Sequence, residues 1–369
     1  MTQKIALLSA DEYGDKIEKT EMKAVEFVGG IEKAVQPGDK VLIKPNLVNN
    51  QLGENGDVTH FSLIGPIIRA CHDAGAAEIL VGDGSGDVDT PKAFVASGVK
   101  QVVERLSSNG IPVKLVDLNY DKNPKTNEFD RVSLGKIGLN QNFVYRIAHS
   151  VLAVDTIISM PKLKTHTKTG ITVALKNFIG IAPGGYYGFP KWRGDVEILP
   201  HGPIDLSPII QQTILDLNRI ALGKYPGSPR ERKYMAIVDG VVAGVYYKMN
   251  AERIPIWRPI KVGVVIAGTD AVAVDTISAK VMCFAPEKID LITRAASFGF
   301  GTMKDIEISG NKVEEVRRLV PPPDAFLHIA DKSIPGVRGK IYRQALSKRA
   351  LYRRYKHYKY LLLEKHSLR

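Results

Sequence analysis

Nine consecutive residues, Lys162-Leu163-Lys164-Thr165-His166-Thr167-Lys168-Thr169-Gly170, set three lysines, a histidine and three threonines directly after the apolar run Thr156–Met160. Lysines supply fixed positive charge, hydroxyls supply donors, and an imidazole titrates near neutral pH. The block therefore suits a phosphate or carboxylate ligand. Gly170 would let the backbone approach an oxyanion closely. The segment leads into a helix expected over Ile171–Gly180, whose first N–H groups favour negative charge. Lys162, Thr169, Gly170, Lys176 and Asn177 are thus expected ligand contacts, and Lys164 and His166 the expected catalytic groups, with His166 moving a proton. The competing interpretation of the same block is a solvated basic turn with capping threonines.

Other apolar runs hand over to polar groups in the same way. Lys44-Pro45-Asn46 follows Val41–Ile43, Gly82-Asp83-Gly84-Ser85-Gly86 follows Glu78–Val81, Asp239-Gly240 follows Ala236–Val238, and Gly268-Thr269-Asp270 follows Val262–Ala267. In open parallel sheets ligands bind beyond the carboxyl ends of the strands, so Lys44, Asn46, Asp83 and Ser85 join the expected ligand contacts. Asp83, Asp270 and Asp275 are the acids available to a divalent metal. Asp270 equally suits the cap of a helix starting at Ala271. Asp275, on an otherwise apolar helical stretch, needs a partner if buried, and Lys44 is the candidate. The glycine spacing is neither that of a dinucleotide fingerprint nor that of a P-loop, and no metalloprotease or serine-hydrolase motif occurs.

The elements that must position these groups alternate. Short runs rich in β-branched residues, including Val113–Val116, are separated by helical patterns at Leu63–Ala74, Val99–Leu106, Ile209–Leu222 and Ala271–Met282. Near-continuous apolar strands are those covered on both faces, so the expected fold is α/β, a mostly parallel sheet with helices on both faces. Residues 119–142 are polar and read as a hairpin or excursion. Residues 182–208, dense in Gly and Pro, read as a lid or insertion.

The chain has 369 residues, 44% of them hydrophobic, enough for one large α/β domain or two smaller ones. No run approaches the roughly 20 apolar residues of a membrane span, and the apolar run near Met1 is too short for a secretory signal, so a cytoplasmic setting is expected. Cys71 and Cys283 are too few for a disulfide framework or an iron–sulfur cluster held by this chain alone. The net charge is +12, but residues 332–369 hold 12 basic residues and one acid, so the preceding 331 carry only +1. A near-neutral body over 1–331 is therefore expected to carry a basic tail over 332–369. Leu346, Ala350 or Leu351, Tyr355, Tyr358 and Leu362 recur at helical spacing there. Such a helix suits nucleic acid, an anionic membrane, its own body or a neighbouring subunit of a homo-oligomer.

Val41-Leu42-Ile43-Lys44-Pro45-Asn46-Leu47, Gly82-Asp83, Met160-Pro161-Lys162-Leu163-Lys164-Thr165-His166 with Ala174-Leu175-Lys176-Asn177, and Gly268–Asp275 occur in that order. Over roughly Val41 to Gly310 this pattern resembles the family called domain of unknown function 362. The resemblance implies an α/β domain of prokaryotic cytoplasmic proteins, often joined to a ferredoxin-like module with 4Fe–4S clusters, which this chain's two cysteines cannot supply. A fainter similarity is to the lactate racemase family that uses a nickel-pincer nucleotide, with Lys164, His166 and Lys176 the counterparts by chemistry. Two functions remain open on this reading. One is an enzyme acting on a small anionic ligand; the other is a non-catalytic binding or redox-accessory module delivered by the tail.

Overall fold

The structure, a computed structural model, describes residues 2–86, 89–140, 143–187, 191, 207–249 and 255–337. Its strands are β1 (Gln3–Ser9), β2 (Lys40–Pro45), β3 (Glu78–Asp83), β4 (Val113–Asp117), β5 (Asp130–Ser133), β6 (Val144–Ile147), β7 (Thr156–Met160), β8 (Lys162–His166), β9 (Gly170–Thr172), β10 (Lys233–Met249), β11 (Pro255–Gly268) and β12 (Ile306–Gly310). The helices are α1 (Asp15–Phe27), α2 (Phe61–Asp73), α3 (Thr90–Ala96), α4 (Val99–Ser108), α5 (His149–Ala153), α6 (Ala174–Asn177), α7 (Gly184–Tyr187), α8 (Ser207–Ala221), α9 (Ala271–Val281), α10 (Asp290–Ser297) and α11 (Val313–Val316).

One sheet runs in the order β12-β1-β11-β10-β7-β2-β3-β4, with β8 paired to β10 and β9 to β8. Pairing is parallel from β10 through β7, β2 and β3 to β4, and antiparallel where β11 meets β10 and β1. The runs expected to be strands are strands, and their side chains feed two cores. In β2, Leu42 joins the core beneath α8 and α9, while Val41 and Ile43 join the core of α1, α2 and α4. That two-sided burial is why these strands are apolar without alternation. The fold is α/β, a mostly parallel sheet with helices on both faces. The apolar run near the start is β1, an inner strand between β12 and β11.

The chain leaves β2 toward β3 and β4 on one side, and later returns to build β7 and β10 on the other. The carboxyl ends of β2 and β7 therefore flank a topological switch point, where loops separate and leave a crevice. Residues 119–142 do make an excursion, since β5 pairs antiparallel with β6.

The lysine block departs from expectation. It is not a loop before a long helix but a hairpin, with Lys164 opposite Thr172 and His166 opposite Gly170. The helix expected over Ile171–Gly180 shrinks to α6 and a 3-10 turn at Phe178–Ile181. β-branched Ile171, Thr172 and Val173 explain this, since they lose rotamer freedom in a helix and fit a strand. Most of the 182–208 insertion, including Trp192 and His201, lies outside the described residues, as does the expected tail helix from residue 338 on. Packing continues past the expected boundary at Asp331: Ile334 and buried Val337 lie against Cys283 and Ala330.

Candidate functional site

At the switch point the expected ligand groups of β2 and β3 bind each other. Lys44 Nζ donates to Asp83 Oδ1 at 2.5 Å, and neither side chain is more than 3% exposed. Asp83 also accepts from the Leu47 N–H (2.7 Å) and the Gly84 N–H (2.9 Å), so its charge is satisfied inside the protein. A buried carboxylate needs this compensation. Asn177 bridges the crevice, its Nδ2 donating to the Lys44 carbonyl (3.0 Å) and to Ser159 Oγ (2.9 Å). Asn46 and Asn177 each keep a buried side-chain oxygen without a hydrogen-bond donor. Ser85 is occupied structurally: its hydroxyl donates to the Val48 carbonyl, and its own carbonyl accepts from Asn119 Nδ2.

A second buried pair lies where β8 meets β10. Lys162 Nζ donates to Asp239 Oδ2 (2.8 Å), to Tyr13 Oη (2.7 Å) and to the Gly53 carbonyl (2.9 Å). Tyr13 in turn donates to Asp239 Oδ1, and the His60 N–H donates to Oδ2. His60 caps α2, and its ring stacks on Tyr13 at 3.8 Å between centroids. Glu21 of α1 is also fully buried, without a hydrogen-bond partner for either oxygen. Burial, and then the Asp239 charge, push its carboxyl well above the usual range, so it is held protonated.

The expected metal acids are dispersed. Asp270 caps α9 through the Ala273 N–H (2.9 Å) and also accepts from the Thr302 N–H. Asp275 does not pair with Lys44, whose partner is Asp83. It accepts from the N–H groups of Ala174 (2.8 Å) and Leu175 (3.4 Å), and burial pushes it up to about 8. The start of α6, expected to receive a ligand anion, is thereby capped from α9. Among the described residues no three His, Cys, Asp or Glu side chains lie together as metal ligands would.

Thr169 and Gly170 serve the hairpin turn rather than an open ligand face. The Thr169 hydroxyl donates to the Ile171 carbonyl at 2.7 Å, and Gly170 holds φ at 77° against Phe326 and Ile329. The remaining members of the block do come together. Lys164 is 2% exposed; its Nζ donates to the Asp57 carbonyl at 2.8 Å and sits 4.4 Å from the Trp257 ring centroid. His166, Lys168 and Lys176 are only half-buried, so this is the part of the block that an incoming molecule can touch. Burial, then the charges of Lys176, Lys164 and Lys168, hold the His166 imidazole well below its ordinary range, hence neutral at pH 7. Its Nδ1 accepts the Lys168 N–H at 3.1 Å, which leaves the ring proton on Nε2. Thr172, directly opposite Lys164 and so on the same face, has a buried hydroxyl without a partner.

Several participants were not singled out from sequence. Tyr13 and Asp57 lie in loops and Glu21 on α1, far in sequence from the strand ends that they reach only in the folded chain. Lys191, inside the Gly/Pro-rich insertion, is 4% exposed and donates to the Gly180 carbonyl at 3.1 Å. Its one sequence signal is a lysine in an otherwise Gly/Pro-rich stretch.

Together these features define an α/β protein with two buried lysine–aspartate pairs at its strand ends and a lysine–histidine hairpin beside them. The chain belongs to the family described as a domain of unknown function, DUF362, whose profile matches residues 41–280, a shorter span than the roughly 41–310 expected. It is 24% identical over 190 residues to a thylakoid-associated protein of Synechocystis sp., covering 50% of this chain and 52% of that protein. It thus spans about half the length of this curated relative. Among solved structures it is similar to a Thermotoga maritima protein (TM-score 0.37, 16% identity, 72% of this chain and 57% of that one). It is also similar to the lactate racemase apoprotein of Thermoanaerobacterium thermosaccharolyticum (TM-score 0.42, 12% identity, 76% and 56%).

Proposed function

We propose that this chain is an enzyme that acts on a small oxyanion, a phosphate or carboxylate ester or acid, held at the β8–β9 hairpin. The observation that carries this reading is the convergence of Lys164, Lys168 and Lys176 on one neutral, half-buried imidazole. The charges of all three act on this ring, and the same field attracts an anion brought against it. Lys168 and Lys176 meet the ligand from the accessible side, Lys164 from beneath. His166 contributes its Nε2–H as a donor to an oxygen that carries or develops negative charge. A neutral imidazole suits this role, because it polarises a carbonyl or phosphoryl oxygen without first giving up its proton. Proton transfer from carbon or oxygen then falls to another group, which modifies the expectation that His166 itself moves the proton. Lys44, Lys162, Asp83 and Asp239 serve as scaffold, their charges already matched in pairs.

Titration of inorganic phosphate, and separately of acetate, at constant ionic strength tests this by the rise in melting temperature. The wild type is expected to be stabilised by at least one of the two beyond chloride, and His166→Gln with Lys176→Met to lose that increment. Acetate binding by the wild type should hold steady between pH 6 and 8, because acetate stays ionised there and the lowered His166 imidazole stays neutral. Equal stabilisation of wild type and variants, or none in either, defeats the proposal.

A further inference from the structure

Lys191 stands apart from the hairpin cluster and carries its own chemistry. Its side chain reaches from the Gly/Pro-rich insertion into the carboxyl edge of the sheet, where its Nζ donates to the Gly180 carbonyl. Gly84 makes room for it, and Gly180 makes room for the neighbouring Lys44–Asp83 pair. A Cβ on Gly84 would lie 2.5 Å from Lys191 Nζ, and a Cβ on Gly180 would lie 2.5 Å from Lys44 Nζ. Lys191 therefore lies beside the Lys44–Asp83 pair at the switch-point crevice, where an ordinary side chain at either glycine would block the approach. Lys44 has a carboxylate partner there; Lys191 has only a backbone carbonyl among the described residues. The same crevice holds the Asn177 side-chain oxygen, buried and lacking a donor, next to the Lys44 carbonyl. A buried acceptor without a donor is costly, and a hydroxyl or N–H of a bound molecule would satisfy it.

We propose that Lys191 is a carbonyl-condensing amine, and that the crevice between the ends of β2, β3 and β7 takes a small aldehyde or ketone. Burial and the neighbouring Lys44 charge lower the Lys191 amine to about 7, against the opposing pull of Asp83 and Asp117, so a large share is uncharged at neutral pH. Enclosure and an adjacent cation are the two conditions that turn lysine into a nucleophile. The amine nitrogen adds to the carbonyl carbon, a proton moves from nitrogen to the new hydroxyl oxygen, and that oxygen leaves as water to give an imine. The step consumes no oxidant, reductant or cofactor. In the carbinolamine, the hydroxyl is a donor of the kind that Asn177 lacks.

The test uses the wild-type full chain with glyoxylate as the carbonyl probe and cyanoborohydride to trap the imine, followed by peptide mass mapping over pH 5.5–10. Lys191 is expected to be labelled roughly tenfold faster at pH 7 than exposed lysines such as Lys92, with a midpoint near 7 rather than near 10. Lys191→Arg should abolish that fast phase while leaving labelling of the other lysines and the melting temperature unchanged. Labelling of Lys191 no faster than that of exposed lysines, or a midpoint near 10, overturns the inference. Because the readout needs no phosphate or acetate, its failure leaves the hairpin proposal standing, and the reverse holds equally.

Discussion

Lys44 and Lys162 show why a lysine at a strand end is not by itself a ligand contact. Both sit where the sequence placed them, at the ends of apolar strands, and both were expected to meet an external anion. The sequence displays the cation and the acid but not their pairing, because Lys44 and Asp83 are 39 residues apart and adjoin only through the register of β2 on β3. Likewise Lys162 and Asp239 meet only where β8 docks on β10. Removing one member of such a pair leaves a stranded buried charge. Lys44→Met should therefore cost about 3–5 kcal/mol in urea unfolding, and Lys44→Met with Asp83→Asn distinctly less than the sum of the two single changes. Strict additivity would mean that the pair contributes nothing as a pair. His166 and Lys176, by contrast, were both expected at the ligand from sequence, but the face that His166 shares with Lys164 follows from β8 being a strand, which its charged residues conceal.

At the scale of elements, local preference explains both the success and the failure of the sequence reading. The β-branched strand cores and the helices at 63–74, 99–106, 209–222 and 271–282 were recognisable within a residue or two. The hairpin was misjudged because the charged residues of β8 mask a strand whose lysines are buried by contacts made far away. Asp275 illustrates the same gap. Its oddity in an apolar helix was visible, but not that it would cap α6, whose first residue lies 101 residues earlier. Asp275→Ala should loosen that cap and cost about 1–2 kcal/mol. The linkage has a definite sign. With a folded-state value near 8 against an ordinary 3.8, the native protein holds a proton that the unfolded chain releases. This contribution to stability is fully present below pH 4 and is lost as pH rises toward 8. Asp275→Asn keeps an acceptor for Ala174 and should flatten this part of the stability–pH profile; an unchanged slope would show that Asp275 is ionised in the fold.

For the whole molecule, charge composition does not mark the limit of packing. The basic excess begins at Lys332, yet Ile334 and Val337 still pack on Cys283 and Ala330, and the Asp331 N–H donates to the Cys283 carbonyl. A chain ended after Asp331 should melt several degrees lower than one ended after Val337, having lost about 1–3 kcal/mol of apolar burial. Equal melting of the two would place the boundary at Asp331 after all. Within the body, Lys44 and Lys162 are matched by buried aspartates, whereas His166, Lys168 and Lys176 of the proposed anion site are half-buried. Native mass spectrometry of freshly purified protein examines that distinction most directly. A small anionic adduct is expected on the wild type, lost in His166→Gln with Lys176→Met and kept in Lys191→Arg. An adduct of the same mass and occupancy on all three proteins, or on none, would contradict that expectation.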